Sequence, residues 1–233
     1  MGLEELRHRL GRLRALLEPA AHLLLVEIDE RGIRLRVVAA DDLDELAVAR
    51  RARIGGDICA GGEQPSETLS RLRGLGDRVR WVRGNADREL YPGEGGLVPE
   101  PLVEETRGRL SEEEIAFLHE LPETQQIGDV LYCHASPRND MDIFTERTPE
   151  ERIAFLFDAL DVATVVCGHT HTQFERTVAG VRVVNAGSVG MAYEEEPGAY
   201  WLLGLDHRRT PYEGAELKAT REEAVAEFTE RGL

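Results

Sequence analysis

The stretch VVCGHTH at residues 165–171 decides the fold prediction. Its β-branched residues predict a buried strand that ends at Cys167, and a glycine then leads into His169 and His171. Two imidazoles that share one loop can bind a single metal ion, since histidine is the commonest metal ligand in proteins. Taken alone, the pair is more often structural than functional, so its meaning depends on the rest of the chain.

Before this stretch in the chain, polar side chains follow three other strand-like segments. They are Asp57 in IGGD (54–57), Asn85 in WVRGNAD (81–87) and His134 in VLYCH (130–134). Taken alone, each of these residues is expected in an ordinary turn or as a hydrogen-bonded structural side chain. In an open α/β sheet, however, the loops beyond the carboxyl ends of the strands converge on the ligand crevice. The ordered set, completed by His169 and His171, therefore predicts a site for a divalent cation.

The remaining segments predict an α/β fold. Helical and strand-like segments alternate up to about residue 167, followed by a hairpin at Ala179-Gly180, a strand at 199–205 and a last helix at about 221–231. This order implies a mixed sheet or two stacked sheets with helices outside. Ser66 and the pair Ser111 with Glu114 are expected to cap helices, and Pro149 to occupy a first helical position.

Composition limits the class of protein. The chain has 233 residues, 42% of them hydrophobic, which suits one domain over residues 1–233. A net charge of −16 argues against binding long nucleic acid but not a small phosphate ester. Three widely spaced cysteines indicate a reducing cytoplasm. We expect no signal peptide and no membrane span. The sequence leaves open whether the protein forms a homo-oligomer.

The ordered blocks resemble the calcineurin-like metallophosphoesterases, in particular the small bacterial branch of YfcE-like phosphodiesterases. The family order is Asp-x-His, Gly-Asp, Gly-Asn-His-Asp, a lone His and Gly-His-x-His. The last four blocks correspond to residues 56–57, 84–87, 134 and 168–171, and residues 184–190 are similar to the closing segment. The resemblance covers about residues 54–212. It implies an α/β/β/α sandwich of two mixed sheets flanked by helices.

The resemblance also implies an activity and a ligand set. The protein would be a phosphodiesterase or phosphatase that hydrolyses a small phosphate ester by attack of a metal-activated hydroxide. Asp57 would bridge two divalent ions, with Asn85, His134 and His169 completing one site and His171 serving the other. One or two ions per chain are expected, and the sequence leaves manganese, iron, zinc, nickel and magnesium open.

This sequence departs from the family at one catalytic position. Ala86 stands where the family has the histidine of Gly-Asn-His-Asp, so general-acid help from this position is lost. Arg88 or Arg138 is a candidate to supply positive charge instead, and we place Arg138 among the candidate catalytic residues. The alternative for both is a solvated surface arginine.

A second departure concerns residues 1–53, which are atypical for the family because no Asp-x-His precedes Asp57. Glu27 and Asp29, at the end of a predicted strand over 22–28, are candidate replacement ligands. The alternative is a hairpin turn between that strand and a second one at 33–37, and a third interpretation is a divergent beginning. Further helices are predicted at 3–17 and from about 42 to 51.

The departures leave two functions open. The first is a metal-dependent phosphoesterase. The second is a degenerate protein of the same fold that binds metal or ligand without efficient catalysis. A purely structural metal protein is disfavoured, because structural zinc sites favour cysteine-rich tetrahedra.

Overall fold

The structure is a computed structural model that describes residues 25–27, 52–62, 64–211, 217 and 219–233. The strands in these residues are β1 (Leu25–Glu27), β2 (Ala52–Ile54), β3 (Val79–Trp81), β4 (Thr124–Ile127), β5 (Val130–Cys133), β6 (Thr164–Cys167), β7 (Gln173–Val178), β8 (Val181–Ala186), β9 (Ala199–Leu203) and β10 (Asp206–Thr210). The α-helices are α1 (Pro65–Arg73), α2 (Asn85–Glu89), α3 (Glu100–Arg107), α4 (Glu112–His119), α5 (Glu150–Ile153) and α6 (Arg221–Arg231). Short 3₁₀ turns occupy Gly76–Arg78 and Ala154–Leu156.

The strands form two mixed five-stranded sheets. The first has the order β10-β9-β1-β2-β3 and the second the order β4-β5-β6-β8-β7. In the first sheet β2 runs parallel to β3, and in the second β5, β6 and β8 run parallel to one another. Helices flank the sheets, so the predicted fold class is confirmed.

Strand alternation explains how the layers pack. Along β6, Val165 and Cys167 point towards a helix-side core that also holds Ile153 and Phe157. Val166, between them in sequence, points the other way into an apolar layer shared with Leu202 of the first sheet. A buried strand with apolar residues on both faces is what the VVC run predicted, because successive side chains leave opposite faces of a strand.

Several local predictions hold and others do not. Ser111 and Glu114 form the predicted capping box. Ala179 and Gly180 both have positive φ, as a tight hairpin turn between β7 and β8 requires. The prediction that Ser66 caps a helix is wrong, because Gln64 is the cap of α1 and the Ser66 hydroxyl donates to Glu114 instead. Pro149 occupies the cap position of α5 rather than its first turn.

The strand predicted at 199–205 also ends early. Gly204, with φ of 64°, turns the chain after Leu203 into β10, which the sequence analysis did not predict. The predicted helices at 3–17 and 42–51 and the predicted strand at 33–37 lie outside the described residues, as does Asp29. Within the described part of the chain, no helix combines the length and apolarity needed to cross a membrane.

Candidate metal centre

The predicted ligands lie where parallel strands end. Asp57 follows β2, Asn85 opens α2 just after β3, and His134 directly follows β5. His169 and His171 follow β6, which is parallel to β5. The segments that follow β2, β3, β5 and β6 meet here and bring the five side chains together.

The geometry centres on the Nε2 atom of His134. It lies 3.1 Å from Oδ1 of Asn85, 3.1 Å from Nδ1 of His169 and 3.3 Å from Oδ2 of Asp57. The ligand atoms of Asp57, His134 and His169 all lie within 4.8 Å of one another. His171 is slightly farther away, with its Nε2 3.9 Å from Oδ2 of Asp57.

Hydrogen bonds behind the site fix which atoms face it. His134 Nδ1 donates to the carbonyl oxygen of Gly55 at 2.7 Å, so Nε2 is the ring atom that faces the cluster, and it presents a lone pair when the ring is neutral. Asn85 Nδ2 donates to Glu89 Oε1 at 2.8 Å, which turns the amide oxygen of Asn85 the same way. The atoms that converge are therefore acceptors, and a cation between them satisfies all of them at once.

The spacing of these acceptors fits a coordination shell. Metal–ligand bonds of about 2.1 Å place neighbouring ligand atoms roughly 3.0–3.4 Å apart in octahedral or tetrahedral geometry. The separations of 3.1–3.3 Å around His134 Nε2 lie in that range. A mixed set of carboxylate, amide and imidazole ligands suits a divalent transition metal better than calcium.

The electrostatics of the site also favour positive charge. Burial lowers the pKa of His134, but the neighbouring Asp57 carboxylate and the Gly55 carbonyl outweigh burial and raise it to about 9. Burial and the neighbouring His134 lower the pKa of His169 to about 3, which keeps that ring neutral. The metal-free site thus favours a proton on His134, which a bound metal ion would displace.

Strained backbone marks the ligand loops. Asp57, His169 and His171 have φ of 55°, 65° and 56°, in the left-handed region that non-glycine residues rarely adopt. Buried Asn185 supports the histidine loop, because its Nδ2 donates to the Gly168 carbonyl at 2.7 Å and to the Thr170 hydroxyl at 3.0 Å. The sequence analysis quoted residues 184–190 without assigning Asn185 this role.

Asp87 is fully buried and clamps two ligand loops together. Its carboxylate accepts hydrogen bonds from the backbone N–H groups of Asp57, Ile58 and Gly84 at 2.8, 2.8 and 2.9 Å. The loops approach so closely that a Cβ on Gly84 would lie 2.2 Å from Asp57 Oδ1. Burial and the charge of Asp57 raise the pKa of Asp87 to about 7. Asp87 is therefore a positioning residue rather than a ligand.

Asp87→Ala is expected to lower the free energy of unfolding by about 3 kcal/mol or more, because three backbone donors lose their acceptor at about 1–3 kcal/mol each. Relief of the repulsion from Asp57 offsets part of this loss. Urea unfolding of the metal-free protein measures the change. The exposed Asp77→Ala variant is the control, and an equal midpoint for both variants would contradict the clamp.

Glu89 is a second buried carboxylate, and the sequence analysis missed it. Besides holding the Asn85 amide, it accepts hydrogen bonds from the backbone N–H groups of Leu97 at 3.0 Å and Val98 at 2.7 Å. It also leaves no room at Gly96, where a Cβ would lie 2.1 Å from Glu89 Oε1. The only sequence signal was its spacing, four residues after Asn85 on one helical face.

Glu89→Gln is expected to weaken metal binding about 10–100-fold, the usual cost of losing a partner that orients a ligand. The uncharged amide gives one oxygen acceptor in place of two, so the Asn85 side chain is free to turn. Calorimetric titration with Mn²⁺ measures the affinity, and thermal unfolding of the metal-free form separates it from a loss of stability. Glu94→Gln, at an exposed site, is the control; equal affinities in both variants would rule out the positioning role.

The two arginines proposed to replace the missing histidine are engaged elsewhere. The Arg88 Nε donates to Asp140 Oδ2 at 2.8 Å, and its guanidinium also contacts Glu94. The Arg138 side chain is half exposed, pairs with Asp142 at 2.6 Å and lies over the Phe155 ring. Neither lines the cleft beside the candidate metal centre.

The register of β1 determines where the backbone of Glu27 lies. β1 runs antiparallel to β2, pairing Leu25 with Ile54 and Glu27 with Ala52. Glu27 therefore lies beside the start of β2, whereas Asp57 follows its end. Glu27 was open between a replacement ligand and part of a hairpin turn, and the antiparallel pairing does not bring its backbone to Asp57.

Comparison with known proteins gives the family of the chain. The sequence pattern of the calcineurin-like phosphoesterase superfamily domain matches residues 39–208. The chain therefore belongs to this superfamily, a family of hydrolases that normally binds divalent metals. None of the curated proteins matches the chain significantly.

Two solved structures show the same fold, and a third is also similar to the chain. A metallophosphoesterase from Sphaerobacter thermophilus is 23% identical over 83% of this chain and 89% of its own, with a TM-score of 0.57. A hypothetical protein from Pyrococcus horikoshii is 15% identical over 90% and 93%, with a TM-score of 0.60. The phosphoesterase YfcE from E. coli is 20% identical over 76% and 85%, with a TM-score of 0.39.

Proposed function

We propose that this protein is a metal-dependent phosphoesterase, a phosphodiesterase or phosphatase, that hydrolyses a small phosphate ester. The observation that carries the proposal is the convergence of four acceptor atoms from Asp57, Asn85, His134 and His169 at coordination distances. These four residues would hold one divalent ion. When bound, the ion supplies Lewis acidity and lowers the pKa of a coordinated water.

The chain's own residues prepare the site for this chemistry. The Gly55 carbonyl holds His134 in the tautomer whose Nε2 is free to bind, and Glu89 holds the Asn85 oxygen in place. The Ala86 N–H donates to Asp57 Oδ1 at 3.0 Å and leaves Oδ2 towards the cluster. A rigid ligand set of this kind orients the ester without reorganisation during the reaction.

One observation favours a second candidate, a metal binder without efficient turnover. The described residues that would hold a second ion are Asp57 and His171, whose ligand atoms are 3.9 Å apart. A site with two described ligands is expected to bind metal weakly, whereas the four-ligand site is expected to bind it tightly. Without a second ion, the clamp on attacking and leaving oxygens that two-metal enzymes use is lost.

Metal stoichiometry and turnover together test the proposal. Titration of metal-free protein with Mn²⁺ in a calorimeter is expected to show one strong step, and the loaded protein is expected to hydrolyse bis-nitrophenyl phosphate. One strong step without hydrolysis of any phosphoester would favour the binder. Two equally tight steps would contradict the one-strong-site proposal and point to further ligands outside the described residues.

The proposal also covers the cellular compartment, the size of the substrate and the test metal. Cys59, Cys133 and Cys167 are free and buried, which supports a reducing compartment such as the cytoplasm. The net charge of −16 supports a small substrate rather than a long nucleic acid. Manganese is the proposed test metal, since the ligand set accepts several divalent ions.

A further inference from the structure

A cleft of about 290 Å³ opens onto the candidate metal centre. One end of the cleft is lined by site residues, among them Asp57, His169 and His171. Ala86 lines it as well. A phosphoryl group bound at the metal centre would therefore direct one of its ester groups into this cleft.

The far walls of the cleft are largely apolar. They come from the segments at 97–102 and 191–193, from helix α6 and from Ile143. Six of their side chains carry the argument: Leu97, Leu102, Ile143, Met191, Tyr193 and Phe228. Among the described residues that line the cleft, Arg231 is the one arginine or lysine, and it pairs with Glu227 at 2.6 Å.

Aromatic rings connect the metal centre to these walls. The Tyr193 ring stacks on His171 with centroids 5.5 Å apart and an interplanar angle of 25°. It also contacts the Phe228 ring at 5.9 Å. The backbone N–H of Tyr193 donates to the His171 carbonyl at 3.1 Å, which keeps this ring beside the ligand. The aromatic surface is therefore continuous with the site.

Partly buried polar contacts hold the walls in place. At the start of α6, Arg221 donates to Glu194 at 2.8 Å and to Glu146 at 2.9 Å. At its end, the Leu233 N–H donates to the Ile143 carbonyl at 2.9 Å. In the segment at 97–102, Glu89 holds the backbone before Pro99 through its two hydrogen bonds. The cleft is therefore largely pre-formed, as small-molecule sites usually are.

We propose that the cleft selects phosphoesters whose leaving group is a compact apolar or aromatic ring. This inference rests on the proposed phosphoesterase function. A ring placed between the aromatic wall and Leu97, which is 44% exposed, would remove apolar surface on both sides from water. A sugar or polyol would bury hydroxyl groups against walls that offer them few partners. Ala86 offers no proton, which suits a group that departs as a stable anion such as a phenolate.

Binding of two phosphonates tests this selection without any turnover. Phenylphosphonate and methylphosphonate share the phosphoryl group and differ in the ring, and neither is hydrolysed. We expect the manganese-loaded protein to bind phenylphosphonate roughly tenfold more tightly in calorimetric titrations, since the ring buries apolar area in the cleft. Phe228→Ala should remove most of that preference.

Two further variants keep the test decisive. Leu97→Ser changes an exposed part of the wall from a different segment and should weaken phenylphosphonate binding selectively even if Phe228→Ala is poorly folded. Phe155→Ala removes a half-exposed ring outside the cleft and should change neither affinity. Equal binding of the two phosphonates by wild type would overturn the inference, while diester hydrolysis would still support the proposed function. Failure to bind either phosphonate, together with no hydrolysis, would overturn both.

Discussion

His134→Ala is expected to abolish hydrolysis of a nitrophenyl diester by the metal-loaded protein. Its Nε2 lies at the centre of the ligand cluster, within 3.3 Å of three other ligand atoms. Losing a partner that merely orients a ligand costs about 10–100-fold, so losing this ligand should cost more than about 100-fold. Initial rates at saturating Mn²⁺ measure the effect.

Chelation provides the matching test on the unmodified protein. Removal of metal should abolish activity, and added Mn²⁺ should restore it, which a folding defect would not allow. His119→Ala is the control variant, since this histidine lies outside the cleft and stacks on Tyr91. Residual activity of His134→Ala near that of the control would contradict a catalytic metal at this site.

Ala86→His is expected to raise the rate most for poor leaving groups. Ala86 is buried and lines the cleft, and no proton donor stands at this position. Wild-type turnover should therefore be measurable with nitrophenyl esters, which need no protonation as they depart, and fall steeply with alkyl esters. An imidazole placed here could protonate the departing oxygen, a contribution of up to about 10²–10⁴-fold.

A series of diesters with increasing leaving-group pKa measures this effect as the slope of log kcat against that pKa. Ala86→His should flatten the slope. Ala86→Asn is the matched control, because it adds a polar side chain of moderate size without an acid that titrates near neutral pH. An equal gain for every leaving group would show that proton donation is not what position 86 lacks.

The local elements of this fold could be predicted from short stretches of sequence. The Ser111–Glu114 capping box and the hairpin at Ala179-Gly180 depend on residues a few positions apart, so their backbone chemistry is local. The failed prediction at Ser66 had the same basis. Its hydroxyl found a partner 48 residues away on another helix, Glu114, which no local pattern reveals.

The convergence of the candidate ligands was also predictable, because parallel strands deliver the residues after their carboxyl ends to one edge. Asp57, Asn85, His134, His169 and His171 could therefore be brought together from their order and placement alone. The positioning residues could not be predicted in this way. Asp87 and Glu89 act on backbone N–H groups of other loops, and such bonds have no side-chain signature in the sequence.

By itself, the sequence determined the identity and order of the candidate ligands, and with them the superfamily to which the chain belongs. Both depend on which side chains follow which strands. Only the tertiary structure decided the direction of β1, and with it the position of Glu27 away from Asp57. It alone showed the apolar cleft, whose walls come from segments as distant as Leu97 and Phe228. Strand direction and cleft walls depend on pairing between remote segments, and the free energy of that pairing is shared across the whole core rather than encoded in any one stretch.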